Sequence, residues 1–265
     1  MNKVTSKDGT TIAYEKSGAG PAVILVDGAL GYRSFSPLGE LAKLLSPHFT
    51  VYTYDRRGRG ESSNGKPFAV EREIEDIEAL IQEAGGSAFV FGTSSGACLA
   101  LEAAIKLGAR IRRLAMYEAP YDSEEAARPA WKEYRERLAE LLAQDRRGEA
   151  VALFMQFVGA PADMIAGMRQ APMWPMFEAV APTLPYDAAA IGEDRSVPLK
   201  RAAKVAVPVL ILDGGEGLSI TPFMHASASA LTKAIAHARQ RTLEGQRHDV
   251  DMNVLAPVLA EFYAE

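Results

Sequence analysis

The chain has 265 residues, 48% of them hydrophobic and 24% charged, which is enough to bury the core of one domain. Its formal net charge is -5 with acidic and basic residues interspersed, so we expect no nucleic acid and no membrane surface as partner. The single cysteine rules out an internal disulfide, and no apolar run reaches the roughly 20 residues of a membrane span. Because the N-terminus also lacks the apolar core of a signal peptide, we expect a cytoplasmic protein.

Short runs with the composition of β-strands alternate with segments of helical periodicity along most of the chain. In chain order, the predicted strands lie at residues 10–18, 22–28, 49–55, 87–94, 111–119, 207–215 and 238–245. The run 22–26 is apolar throughout, as expected of a parallel strand that is buried on both faces of a sheet. The pattern predicts the α/β class, with a doubly wound, mostly parallel sheet covered by helices on both faces.

The alternation stops between residues 120 and 198, where several helical patterns follow one another, separated by prolines. We therefore predict a helical insertion at 120–198 within a core domain made of residues 1–119 and 199–265. Apolar side chains of the insertion either line a substrate pocket or form its own core, which is the commoner role at helical spacing. The pocket candidates are Met173, Trp174 and Phe177.

Two adjacent serines lie at the end of the predicted strand 87–94, Ser94 as its last residue and Ser95 directly after it, and a helical pattern follows them. Gly92, Ser94 and Gly96 fit the motif G-x-S-x-G, in which the central serine sits on a strained turn between a strand and a helix. A five-residue match is weak by itself, and the strand before it and the helix after it favour the motif over a chance loop. Ser94 is then the candidate nucleophile, and Ser95 contributes its backbone N–H at the start of the helix.

At these residues the chain resembles the α/β-hydrolase family, in its serine-nucleophile branch, and the resemblance extends over nearly the whole chain. The family's turn after the third strand, usually His-Gly followed by small or apolar residues, corresponds to residues 26–31, with Asp27 in the place of the histidine. The resemblance implies the α/β-hydrolase fold with a helical cap, and an oxyanion hole formed by the N–H groups of Ala29 and Ser95. A second family signature, D-x-R-G-x-G-x-S, shapes the edge of the sheet and is matched by Asp55, Arg57, Gly58, Gly60 and Ser62.

A serine hydroxyl needs a general base within hydrogen-bond distance to act as a nucleophile. Of the four histidines, His48 precedes a strand on the opposite edge, and His225 and His237 fall in or near a late helix. His248 lies in the loop after the last predicted strand, where the family carries its catalytic histidine. The resemblance therefore implies that His248 is the base for Ser94.

The acid that orients the histidine is missing from its usual place in the family, shortly after the glycine that ends the seventh strand. Aligning Gly214 with that glycine puts Gly217 where the aspartate is expected. Glu118 closes the run 111–119, and haloalkane dehalogenases and certain lipases take their acid from the corresponding strand end. Glu118 is the preferred candidate; Asp213, Glu216 or no acid at all are the alternatives.

The resemblance implies a serine hydrolase that cleaves an ester, thioester or lactone of a small apolar acyl compound. Carbon–carbon bond hydrolysis, acyl transfer and cofactor-free haloperoxidase or perhydrolase activity use the same residues, and a non-catalytic ligand-binding protein would explain a missing acid. The scattered histidines, the single cysteine and the absence of a dinucleotide or P-loop motif predict neither metal nor cofactor. The expected partner is a small-molecule substrate, and nothing in the sequence predicts an oligomeric state.

Overall fold

One mixed β-sheet organises the chain, and the computed structural model describes residues 1–216 and 221–265. The strands of the described residues are β1 (Asn2–Thr5), β2 (Thr11–Ser17), β3 (Ala22–Val26), β4 (Thr50–Tyr54), β5 (Ala88–Thr93), β6 (Ile111–Tyr117), β7 (Val209–Gly214) and β8 (Ala238–Leu243). They form an eight-stranded sheet in the order β1-β2-β4-β3-β5-β6-β7-β8. β1 and β2 run antiparallel to their neighbours, and all pairings from β4 to β8 are parallel. The predicted α/β class and mostly parallel sheet are confirmed.

The sequence predicted seven strands and missed β1. This strand is only four residues long, lies at the edge of the sheet and is mostly exposed. Its residues therefore carry neither the continuous apolar run of a buried strand nor a clear alternation.

Helices cover both faces of the sheet. Those of the described residues are α1 (Leu38–Leu45), α2 (Val70–Glu83), α3 (Ser95–Leu107), α4 (Arg128–Ala143), α5 (Arg147–Phe157), α6 (Ala162–Arg169), α7 (Trp174–Val180), α8 (Leu184–Ile191), α9 (Leu199–Ala202), α10 (Pro222–Ala234) and α11 (Met252–Ala264). Strand β3 shows the two-sided burial: Val23 and Leu25 pack in one apolar cluster with α1 and α11, while Ile24 and Val26 pack in the other with α2 and α3. Among the described residues, no helix is long and apolar enough to cross a bilayer.

The segment predicted as a helical insertion, residues 120–198 and called the insertion below, lies between β6 and β7 and contains α4 to α8. Its buried side chains join the apolar cluster on the α3 face of the sheet, to which Leu184 and Ala188 of α8 belong. Tyr134 of α4 stacks on Phe157 of α5 with 4.4 Å between ring centroids, so the insertion also has aromatic packing of its own. Through α8, the insertion packs directly against α3.

Because β5 to β8 are parallel, the carboxyl ends of these strands lie at the same edge of the sheet. Thr93 at the end of β5 pairs with Tyr117 at the end of β6, and Gly214 at the end of β7 pairs with Leu243 at the end of β8. In open α/β sheets, ligands bind at the carboxyl ends of the parallel strands. The residues that follow these four strand ends are therefore the ones to inspect for a functional site.

Candidate active site

The turn from β5 to α3 has a strained backbone at Ser94. Ser94 has φ 55° and ψ −130°, a combination that side-chain-bearing residues rarely adopt. A Cβ on Gly92 would lie 2.4 Å from the carbonyl oxygen of Gly96, and a Cβ on Gly96 would lie 2.4 Å from that of Val26. Both glycines of the G-x-S-x-G motif are therefore required by close backbone approach, and the turn presents Ser94 at the edge of the sheet.

A buried carboxylate and a histidine are paired beside this turn. Oε2 of Glu118 lies 2.6 Å from Nδ1 of His248, and Oε1 accepts a hydrogen bond from the Gly214 N–H at 2.9 Å. Glu118 is 3% exposed and has a positive φ of 46°, directly after β6. The side chain of His248 is 46% exposed, so part of its ring is in contact with solvent.

The other two candidate acids are bound elsewhere. Asp213 of β7 is paired with Nδ1 of His225 on α10 at 2.6 Å and accepts a hydrogen bond from Gln240 at 3.0 Å. Glu216 is paired with Nε of Arg247 at 2.6 Å. The structure thus brings Glu118, rather than either alternative, to His248. Gly217, at the family's usual acid position, lies outside the described residues.

Tyr117 links the three chain segments of the site, a role that the sequence did not reveal. Its backbone carbonyl accepts a hydrogen bond from the Ser94 N–H at 2.9 Å. Its hydroxyl donates to the carbonyl oxygen of Arg247, the residue before His248. Burial raises the pKa of Tyr117, which keeps this hydroxyl protonated as a donor. In the described part of the chain, the Ser94 hydroxyl and the His248 ring are not hydrogen-bonded to each other.

The turn after β3, residues 27–31, lies against Ser94 and is called the Gly28 turn below. A Cβ on Gly28 would lie 3.1 Å from the Cβ of Ser94. The carboxylate of Asp27 accepts the Gly28 N–H at 2.8 Å, and burial raises the pKa of Asp27. The N–H of Ala29 has no acceptor within the described part of the chain. Among the described residues, Asp27 thus occupies the Gly28 N–H, and the Ala29 N–H is left without an acceptor.

Sequence reasoning missed a buried group of charged residues behind the Gly28 turn. Asp187 of α8 is paired with Arg56 at 2.5 Å and with Arg59 at 2.7 Å, and it accepts the Ser95 hydroxyl at 2.8 Å. The available signal was the composition of α8, LPYDAAAI, in which Asp187 is the one charged residue. A carboxylate in an otherwise apolar helix is costly to bury without partners.

The three pocket candidates occupy different positions in the insertion. Met173 is 41% exposed. The indole N–H of Trp174 donates to Glu178 on the same helix at 3.0 Å, so the polar end of Trp174 is used within the insertion. Phe177 packs edge-on against Phe35 of the core domain with 5.0 Å between ring centroids. Of the three, Phe177 is the one with a ring contact to the segment that follows the Gly28 turn.

Comparisons with known proteins agree with this architecture. A solved structure of an alpha/beta hydrolase from Sphaerobacter thermophilus DSM 20745 is similar at 49% sequence identity and a TM-score of 0.89, over 99% of this chain and 100% of that one. Among curated proteins, the chain is 34% identical over 102 residues to the uncharacterized hydrolase YraK of Bacillus subtilis, covering 37% of each chain. It is 31% identical over 119 residues to the proline iminopeptidase PfmaB of Pestalotiopsis fici, covering 40% of each.

These curated matches are partial, since the chain spans about two fifths of the length of each relative. A sequence model described as the alpha/beta hydrolase family, by contrast, matches residues 18–257. The resemblance stated above is thereby confirmed. The chain belongs to the alpha/beta hydrolase family.

Proposed function

We propose that the protein is a serine hydrolase that cleaves an ester, thioester or lactone of a small apolar acyl compound, with Ser94, His248 and Glu118 as its catalytic triad. The observation that carries the proposal is the 2.6 Å contact between the buried Glu118 carboxylate and Nδ1 of His248. This contact supports a catalytic over a non-catalytic interpretation, because it supplies a candidate for the acid that is missing after β7.

In the proposed reaction, Glu118 holds the proton of His248 on Nδ1, which leaves Nε2 free to act as base. Nε2 takes the proton of the Ser94 hydroxyl as Oγ attacks the carbonyl carbon of the substrate. The protonated imidazole then gives this proton to the leaving group, and an acyl-Ser94 ester forms. Water, activated by the same nitrogen, hydrolyses the ester and regenerates Ser94. In serine hydrolases without substrate, the bond between nucleophile and base is often long and shortens when substrate binds.

The negative charge that develops on the carbonyl oxygen needs preorganised donors. The proposed donors are the N–H groups of Ala29, which has no acceptor within the described chain, and of Ser95, the first residue of α3. The partial positive charge at the start of this 13-residue helix adds to the stabilisation. Removing one such donor typically reduces kcat by about 100- to 1000-fold.

The substrate class is proposed from the apolar surroundings. Phe177 packs edge-on against Phe35, which follows the Gly28 turn by four residues, and we propose that the acyl group lies against these rings. Trp174 packs edge-on against Phe177 with 6.2 Å between ring centroids, and Met173 precedes it with 41% of its surface exposed. Apolar walls with a few convergent polar groups are typical of sites for small molecules.

Covalent labelling with a fluorophosphonate probe, located by mass spectrometry, tests the proposal. We expect labelling at Ser94, loss of labelling in Ser94→Ala, and strong slowing in His248→Ala. His225→Ala is the matched control, because His225 has the same kind of buried carboxylate partner but belongs to another pair. Equal labelling of wild type and His248→Ala, or none in the folded wild type, would contradict the proposal.

The substrate class is tested with p-nitrophenyl esters of two to eight acyl carbons, a thioester, a lactone and proline p-nitroanilide. We expect turnover of the short and medium esters. Turnover of the anilide alone would instead favour the proline iminopeptidase activity that the name of one relative states.

A further inference from the structure

The side chain of Ser95 is hydrogen-bonded into the helical insertion rather than toward the substrate side. Its hydroxyl donates to Oδ1 of Asp187 on α8 at 2.8 Å, across 92 residues of sequence. Ser95 is 2% exposed and Asp187 is 3% exposed, so this bond is shielded from water. The hydroxyl of the second serine therefore serves to attach the start of α3 to the insertion.

The same carboxylate also reaches the other proposed oxyanion donor. Oδ2 of Asp187 is paired with Nη2 of Arg59 at 2.7 Å, and Nη1 of Arg59 donates to the carbonyl oxygen of Gly28 at 2.5 Å. The C=O of Gly28 and the N–H of Ala29 belong to one planar trans peptide unit and point in opposite directions. Holding the Gly28 oxygen thus fixes the direction of the Ala29 N–H.

A second arginine, Arg56, also connects Asp187 to the Gly28 turn. Arg56 is paired with Oδ1 of Asp187 at 2.5 Å and donates to the carbonyl oxygen of Asp27 at 3.2 Å. Its other side is paired with Glu73 through two hydrogen bonds of 2.7 and 2.8 Å. The two arginines and the two carboxylates balance in charge. Replacing Asp187 by a neutral residue would remove the carboxylate paired with Arg59 and one of the two carboxylates paired with Arg56.

We propose that Asp187 is the positioning residue of the oxyanion hole, because one carboxylate from the insertion holds Ser95 directly and the Gly28–Ala29 peptide through Arg59. The proposal rests on the proposed hydrolase function. Asp187 does not touch the substrate in this proposal. It acts through position: the distance between the N–H groups of Ala29 and Ser95 depends on how α8 packs against α3 and the Gly28 turn. The insertion then contributes to the reaction through its contacts with the start of α3 and with Arg59.

Two variants test the contact of Asp187 with Ser95 and its contact with the Gly28–Ala29 peptide through Arg59. Asp187→Asn keeps the size of the side chain and removes its charge, and Ser95→Ala removes only the hydroxyl donor. We expect kcat per active site to fall by about 10- to 100-fold in Asp187→Asn, with KM changed by less than about 3-fold, because misplaced amides weaken transition-state binding more than substrate binding. Ser95→Ala should also lower kcat with little change in KM, but by a smaller factor. This variant keeps the test valid if Asp187→Asn folds poorly.

Active sites are counted by fluorophosphonate titration, so that a lower folded fraction does not count as a lower kcat. The second readout is inhibition by a trifluoromethyl ketone that matches the best ester, whose Ki should rise by the same factor as kcat/KM falls. Since Ser95 and Asp187 act through one contact, Ser95→Ala should cost much less in the Asp187→Asn background than in wild type.

Asp76→Asn is the matched control. Asp76 is as deeply buried as Asp187 and pairs with Arg57 of the same arginine-rich turn at 2.7 and 2.8 Å. Arg57 also contacts Asp8 and the carbonyl of Arg72, and none of these contacts involves the Gly28 turn. We expect Asp76→Asn to lower stability while kcat per titrated site stays within about 2-fold of wild type, since no amide of the site is displaced.

The outcomes separate the two proposals. If wild type is not labelled at Ser94, the hydrolase function fails and the positioning role fails with it. If wild type is labelled but Asp187→Asn and Ser95→Ala retain wild-type kcat per site and inhibitor affinity, only the positioning role is overturned. An equal loss of kcat in Asp76→Asn would also overturn it, because the effect would then follow from general destabilisation.

Discussion

His248 and Glu118 are joined by a 2.6 Å contact between Nδ1 and Oε2. The other oxygen of that carboxylate, Oε1, accepts a hydrogen bond from the Gly214 N–H of β7. The backbone donor fixes the rotation of the carboxylate, so a single oxygen faces the imidazole. On the neighbouring strand end, Asp213 is paired with His225 at the same distance. Among residues 1–216 and 221–265, this sheet edge carries two carboxylate–histidine pairs, and of these the Glu118–His248 pair follows Tyr117, whose carbonyl accepts the Ser94 N–H.

Glu118→Gln should reduce kcat by at least about 100-fold with little loss of stability. The glutamine oxygen is able to accept the Gly214 N–H, but its NH2 group would face Nδ1 and favour the tautomer with the proton on Nε2, which is unable to act as base. Ester hydrolysis per titrated site measures the effect.

Asp213→Asn is the control for this prediction, because it makes the same change in a carboxylate of similar burial that is paired with His225. It should retain wild-type kcat. The reverse pattern, with a silent Glu118→Gln and an inactive Asp213→Asn, would assign the acid to β7.

Local sequence was sufficient for the parts of the site that lie within short motifs. The G-x-S-x-G turn is contiguous, and its glycines are imposed by contacts to neighbouring backbone that recur wherever such a turn is made. Glu118 was preferred because it ends an apolar strand, where burial makes an unpaired carboxylate costly. The choice among three acids still required the structure, since the direction of a side chain beyond a strand end is not encoded by periodicity.

Pairings between distant segments had no such local signal. Asp187 and Ser95 are 92 residues apart in sequence and meet only because α8 packs on α3. The link from Tyr117 to the loop of His248 spans 130 residues. The D-x-R-G-x-G-x-S signature was interpreted as shaping the sheet edge, and it gave no indication that Arg59 bonds to the Gly28 carbonyl.

Gly92→Ala and Gly96→Ala should each destabilise the protein by about 1–3 kcal/mol and lower kcat. In both, the new Cβ would lie 2.4 Å from a backbone oxygen, so main chain on one side must move. Gly167→Ala in α6 is the control, because no heavy atom lies within 4 Å of its Cβ position. It should raise the free energy of unfolding by about 0.5–1 kcal/mol. Urea titration measures all three, and equal effects at the three positions would disprove the close-approach argument.

Cys98 should be unreactive in the folded protein. It lies in α3 with no exposed surface, and burial raises the pKa of its thiol to about 12. From the usual value near 9, that shift alone lowers the thiolate fraction at pH 8 by about a thousand-fold. A disulfide reagent should therefore modify one thiol per chain in guanidinium chloride and none on the same timescale in buffer. Rapid modification of the folded protein would show that α3 opens locally.

The pH dependence of stability should distinguish Asp187→Asn from wild type in a defined direction. Burial raises the pKa of Asp187, but the charges of Arg59 and Arg56 and the Ser95 hydroxyl outweigh it and hold the pKa below its ordinary value. An acid with a lowered folded pKa stabilises the protein at pH values above its unfolded pKa of about 4, and this contribution disappears as the pH falls through the folded value.

Urea unfolding at pH 7 and at pH 5.5 should therefore give the same difference in free energy of unfolding between wild type and Asp187→Asn. We expect about 3–5 kcal/mol for removal of one member of a buried ion pair. At pH 3 the difference should be smaller. If burial controlled the pKa instead, the difference would grow between pH 7 and 5.5, because wild type would gain stability as Asp187 takes up a proton.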